Sequence, residues 1–554
     1  MTATVTTSRE STTLYSRLEE RVLERDQVGA SNVFYELVRA GRPLEEMLRE
    51  TVRIHAPYTH IPYHQRIDNG IVRFVNNDHC LLSARTSLRL GKLAGKRYEF
   101  LPMAQTAWYV PTGLDPWNQL LGKMPGHYSR ARFERDEMRR FQGDFPRPVV
   151  HREDQEPEYL EGDIDDRLNQ WLTRVEQGEV IPAYRAFLGL MEEEQHRDKV
   201  LAHLVFAGLI DVQDRMLFNR SYTTGHKSYR ARATVELGEA VGWENARPII
   251  YAGVPDIAVG PRWYSAYEMA GEVAWTLLAE EEERQRSSIA ATPQLPPERR
   301  LLANELPLSP AEADMLVTVL LRAPEPAYIE AITALLLSGK SARQIVDVLQ
   351  VAAAKVVLET GDPRNFAMPQ HAYEYTNTLG WFYDRFDHPH RLKLLYVAGS
   401  FVNQAAHWVH NTPGNGEMDS TPPREAAGLS ERQLLERLDD AMVRKSSLES
   451  VAWVKAYLAS GHDRSPLVQT LALGAAKQGN DPHNQELGLC FLEDYLKSSA
   501  RNRDILLMAC AQHTAGHIKY GDSLEPYRRF AEAFGLEGRG DTQGDADPRA
   551  QLDD

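Results

Sequence analysis

Four stretches of the chain follow one plan: a helix, a short turn with Gly, Pro or Asp, a histidine, and a second helix. They are THIPYHQRIDNGIVRF (59–74), YTTGHKSYRARATVEL (222–237), AMPQHAYEYTNTLGWF (367–382) and NDPHNQELGLCFLEDY (480–495). Two of them support each other closely. Tyr251, in a YAG stretch, lies 25 positions after His226, and Tyr396, in YVAG, lies 25 after His371. The preceding helices match as well, GRPLEEMLRETV (41–52) with GKSARQIVDVLQ (339–350), and VLQVAAAK with VQTLALGAAK. A helical pair that recurs cannot bury its apolar face alone and does so by stacking on its neighbours. The expected fold is therefore all-α, a multi-helical array of about four degenerate helix-turn-helix repeats.

Helical period runs through most of the rest. In 341–359 it puts Ile345, Val348, Leu349, Ala352 and Val356 on one face, and in 43–56 Met47, Leu48, Val52 and His55. Strand alternation is scarce. Residues 93–150, rich in Pro and aromatics, read as an irregular insertion. Residues 1–12 and 538–554 read as disordered, and the Pro-rich stretches 287–300 and 411–428 as linkers. These divide the chain into an N-terminal helical half (13–286), a third unit (301–410) and a C-terminal unit (429–537).

With 42% apolar residues the 554-residue chain can bury a large core. Its net charge of −15 argues against nucleic acid and anionic membrane as partners. No apolar run reaches the roughly 18 residues that span a bilayer, and the N-terminus lacks a signal-peptide core. Cys80, Cys490 and Cys510 form no CxxC pair, so no zinc ribbon or disulfide framework is indicated, and a reducing cytoplasm is the expected location.

The placement of the 18 histidines matters more than their number. If the repeats curl about one axis, the histidines that open each second helix converge, as side chains do in bundle-core metal sites. His64, His226 and His371 are read as equivalent, with His60 beside the first. His483 is set apart, because aligning GDPRN (361–365) with NDPHN (480–484) pairs it with Arg364 instead. His407 and His410 (i, i+3) and His513 and His517 (i, i+4) each share a helical face. The metal candidates are His60, His64, His226, His371, His407, His513 and His517. Neutral imidazole suits iron, with zinc as the alternative. No paired Glu-x-x-His bridging motifs are evident, which argues against a carboxylate-bridged di-iron site. The opposing reading of each histidine is a helix cap or a hydrogen-bonded core residue. His388 and His390 read as solvated turn residues.

Tyr229 and Arg230 lie in a run with Lys227 and Arg232 that could recognise an anionic or phenolic ligand, or could be a basic face or internal ion pairs. Trp263, Tyr264 and Tyr267 could line an apolar substrate pocket or pack in a core. No GxSxG, Walker A, HExxH or GxGxxG motif occurs, so no Rossmann-bound nucleotide is expected.

His60-Ile-Pro-Tyr-His64, the helix-opening His226 and His371, and the helical plan over roughly 30–530 together resemble questin oxidase-like proteins. The resemblance implies oxygen insertion into, or cleavage of, a polycyclic aromatic ketone, with iron held by several histidines and a modified lysine; Lys355, Lys477 and Lys519 are available. The expectation is thus a non-haem iron oxygenase acting with O2 on a small aromatic or hydrophobic molecule. The alternatives are a non-enzymatic α-repeat interaction scaffold and a zinc-dependent hydrolase.

Overall fold

The computed structural model describes residues 2–58, 65–68, 71–74, 79–113, 155–212, 225–258, 265–286, 296–361, 366–416, 420–478, 482–517 and 523–536. They form an all-α array. A first group contains α1 (Thr2–Leu23), α2 (Gln27–Arg39), α3 (Leu44–His55), α4 (Cys80–Ala94) and α5 (Leu101–Gly113). A second contains α6 (Ile164–Gln177), α7 (Val180–Met191), α8 (Arg197–Ile210), α9 (His226–Val241) and α10 (Arg247–Ile257). Helices α11 (Ser265–Arg286) and α12 (Pro297–Leu302) lead to a third, α13 (Pro310–Arg322), α14 (Glu325–Leu337), α15 (Ala342–Leu358), α16 (Ala367–Arg385) and α17 (Lys393–His410). The fourth is α18 (Glu431–Val443), α19 (Ser447–Ser460), α20 (Arg464–Lys477), α21 (Pro482–Lys497) and α22 (Asp504–Gly516), followed by α23 (Glu525–Ala533) on α5.

The same neighbour relations recur in all four groups. The second helix packs on the first and fifth, the third on the first and fifth, and the fourth between the third and fifth. Local chemistry recurs too. Ser309 and Ser430 each open a first helix with a reciprocal capping box, to Glu312 and Gln433. Gly41, Gly339 and Gly461 turn the chain from second helix to third at φ of +67°, +84° and +77°, a left-handed conformation that glycine adopts without a Cβ clash.

The groups close on themselves. Fourth helices touch in a cycle, α4 on α9, α9 on α16, α16 on α21 and α21 on α4. Around them the third helix of one group meets the fifth of the next: α3 with α10, α8 with α17, α15 with α22, and α20 with α5. One contiguous apolar core runs through all four groups.

Several expectations are corrected. Residues 2–12 belong to α1. The insertion read as irregular from residue 93 contains the end of α4 and the helix α5, whose run LPMAQTAWYVP is buried throughout and so shows no amphipathic period. The segment 59–74 holds no helix where it is described; it carries a β-hairpin, β1 (Gln65–Asp68) antiparallel to β2 (Ile71–Phe74), with Gln65 opposite Phe74. The linker 411–428 is partly docked, with Ser420 buried against Lys455 at 2.6 Å. No helix among the described residues is long and apolar enough to cross a membrane.

Candidate metal centre

The inner helices α4, α9, α16 and α21 each bring a histidine from their N-terminal end to one place. His79 is the N-cap of α4, His226 the first residue of α9, His371 the fifth of α16 and His483 the second of α21. One turn further on, Glu374 follows His371 and Glu486 follows His483. All six are buried. No side-chain hydrogen bond caps α4, α9 or α16.

The donors form three overlapping trios: His79–His226–His483, His226–His371–Glu374 and Glu374–His483–Glu486. Within each, one ligand atom per residue lies within 4.8 Å of the others. An imidazole bound at about 2.1 Å holds its ring centre about 3.2 Å from the ion, so four around one ion stand about 4.5 Å apart at right angles, about 5.2 Å in a tetrahedron and about 6.4 Å across. Here adjacent ring centres are 4.4 Å (His226–His371), 4.3 Å (His79–His483), 5.0 Å (His79–His226) and 5.4 Å (His371–His483), and one diagonal, His226–His483, is 5.9 Å. Three imidazoles, His79, His226 and His483, offer ligand atoms mutually close enough for one ion, and His371 joins His226 and Glu374 in the adjoining trio.

Protonation favours the same use. Burial, then the neighbouring His371, His79 and His483, holds His226 well below the usual imidazole range, which keeps the ring neutral. Among the described residues neither of its ring nitrogens has a hydrogen-bond partner. A buried, unsatisfied polar group costs about 1–3 kcal/mol, and a metal bond removes that cost for one nitrogen.

Beneath the cluster lies a buried ionic layer. Arg85 binds Glu236 (2.6 Å), Glu493 (2.7 Å) and the Tyr229 hydroxyl (2.8 Å), and Arg232 binds Glu493 (2.9 Å) and Asn377 (2.6 Å). Burial alone would raise the Glu493 carboxyl; Arg232, Arg85 and Arg89 overcome it and hold it ionised. Half-exposed Arg89 carries this layer to solvent, 2.7 Å from Glu493.

The predicted residues divide clearly. His226 and His371 come together. His483, set apart in the sequence reading, is a full member of the cluster. His79, Glu374 and Glu486 were missed. His60, His64, Trp263, Tyr264 and Lys519 lie outside the described residues. In the first group the cluster histidine is His79; the hairpin lengthens this turn and displaced the equivalence to His64. A signal was present, since N-D-H in 77–79 matches N-D-P-H in 480–483, and His-x-x-Glu occurs at both 371–374 and 483–486. The reverse order, Glu-x-x-His, was the one sought.

His407 is elsewhere, bonding the Ala323 carbonyl at 3.0 Å, and His410 pairs with Glu359. His513 and His517 stack on each other at 4.8 Å and flank the cluster, with His517 5.9 Å from His483. Tyr229 is fully buried under Arg85, and Arg230 is paired with Asp256 at 2.8 Å. Lys227 pairs with Asp211, so the run read as a possible ligand-binding face is internally ion-paired. Tyr267 packs on Phe206. His388 is not solvated: it is 2% exposed and stacks on Phe206 at 4.1 Å, and burial pushes its imidazole down to about 2. Lys477 is paired with Asp439 at 2.9 Å. Compared with protein families, curated proteins and solved structures, the chain has no significant match.

Proposed function

We propose that this protein is a mononuclear non-haem iron oxygenase acting with O2 on a small aromatic or hydrophobic molecule. The observation that carries the metal reading is the convergence of buried His79, His226, His371 and His483, one from each inner helix, into overlapping trios whose ligand atoms lie within 4.8 Å of one another. An all-imidazole and carboxylate donor set suits Fe(II) or Zn(II), and none of the three cysteines is in a disulfide or belongs to a trio. Bound iron would supply the electrons for dioxygen chemistry. The choice of iron and of an aromatic substrate rests on the resemblance to questin oxidase-like proteins.

The chain's own contribution follows from burial. His226 stays neutral and ready to ligate. Glu374, on the α16 face that carries His371, offers a carboxyl oxygen without the lysine modification that the resemblance implied. The packed N-terminal turns of the four helices restrict water around the cluster. Convergence weighs against the scaffold reading, which expects the repeat-matched histidines to point to unrelated places. The buried thiols accord with the cytoplasm as the proposed location.

The test is elemental analysis of untagged protein expressed with added iron, followed by oxygen-uptake screening of polycyclic phenols and ketones. One iron per chain is expected. His226→Ala and His371→Ala should each lose it while keeping the helical circular dichroism, and His407→Ala should keep it. Zinc in place of iron would shift the reading to hydrolysis. No metal after anaerobic Fe(II) loading would end it.

A further inference from the structure

Two of the six buried donors, His79 and Glu486, are in direct contact. His79 Nδ1 lies 3.0 Å from both carboxyl oxygens of Glu486, and both side chains are buried, at 3% and 0% exposure. The two residues come from opposite ends of the chain: His79 caps the inner helix of the first group, and Glu486 sits in the first turn of the inner helix of the fourth. The His79 ring meanwhile stands 4.3 Å from His483 and 5.0 Å from His226, within the set that the proposed ion would occupy.

We propose that Glu486 is a positioning residue that acts through His79. By accepting the Nδ1–H it fixes the imidazole in the tautomer whose Nε2 carries the lone pair, and it fixes the ring's rotation. A carboxylate behind a metal-bound histidine also raises the ligand's basicity, and loss of such a partner typically weakens metal binding about 10–100-fold. His79 needs this support more than the other three. It precedes its helix instead of lying within it, at φ −105° and ψ 8°, and residues 56–78 separate it from α3. Glu486 therefore has a different role from Glu374, although the two share the His-x-x-Glu spacing.

This inference rests on the metal reading, and the experiment separates the two. Zn(II) affinity is measured on the full-length chain by competition with a chromophoric chelator, for the wild type, E486Q, H79N and the double variant. E486Q should bind about 10–100-fold more weakly, with the metal-free unfolding midpoint little changed. The double variant should bind no more weakly than H79N, because the carboxylate has nothing left to position. E486D, which keeps the charge on a shorter stem, should recover part of the loss; it also serves if E486Q does not fold. Wild-type affinity in E486Q would overturn the proposal. So would additive losses in the double variant, which would make Glu486 a ligand in its own right. A wild-type chain with no zinc affinity would overturn the metal reading itself, and this proposal with it.

Discussion

Asp494 is buried, accepting hydrogen bonds from Tyr373 (2.8 Å) and Asn377 (2.8 Å), one residue after the ionised Glu493. Burial pushes its carboxyl up to about 7; the two hydrogen bonds oppose that, and the Glu493 charge adds to it. An acid whose folded pKa is raised keeps its proton in the native state after the unfolded chain has lost it. Its stabilising contribution is full below about pH 4 and disappears as pH rises to about 7, by up to about 4 kcal/mol. Asp494→Asn should flatten that decline, read as urea midpoints from pH 4 to 8; parallel curves for variant and wild type would rule the assignment out. At this scale the sequence revealed only part of the site. His226 and His371 were legible because their flanking repeats align over 25 positions. Glu493, Arg85 and Arg232 were not, since a charged residue's partner more than a hundred positions away leaves no local trace.

At the scale of the helix, the α8–α9 contact sets where His226 stands. Gly208 on α8 faces the first turn of α9, and a Cβ there would lie 2.7 Å from the Lys227 carbonyl oxygen and 2.9 Å from the Ser228 Cα. These are backbone atoms and cannot swing aside. Gly208→Ala should push the first turn of α9 outward, at a cost of about 1–3 kcal/mol, and reduce metal affinity along with stability. Gly271→Ala, with nothing within 4 Å of the new Cβ, is the control: it should leave metal affinity unchanged and raise stability by about 0.5–1 kcal/mol through helix propensity. A Gly208→Ala protein with wild-type metal affinity would show that the contact does not position the histidine. The same pair explains which helices could be read. α3 and α15 have one apolar face and announce themselves by period. α9 carries His, Lys, Tyr, two Arg and Glu and looks solvated, yet every residue from His226 to Gly238 is buried. Its charged groups are ion-paired inside the ring of helices, so periodicity, which separates core from water, had nothing to report.

At the scale of the molecule, the ring depends on closure. The inner helices of the first and fourth groups meet as α4 on α21, and α20 packs on α5, so residues some 400 positions apart must find each other. The His79–Glu486 and Arg85–Glu493 contacts span this seam. An ion held by one histidine from each inner helix would cross-link all four groups at one point, and a ligand that binds only the folded state stabilises it by mass action. At free metal about 100-fold above Kd the gain is about 2.7 kcal/mol, a rise in Tm of about 2–3 °C for a chain this long. The more telling consequence is spatial. Metal should slow amide exchange at the first turns of α4, α9, α16 and α21 together, because opening any one of them breaks a ligand bond. Protection confined to one or two of these turns would mean that the ion is held by a subset of the trios. Equal exchange with and without metal, under conditions where elemental analysis shows it bound, would place the ion elsewhere and leave the four imidazoles as a structural seam.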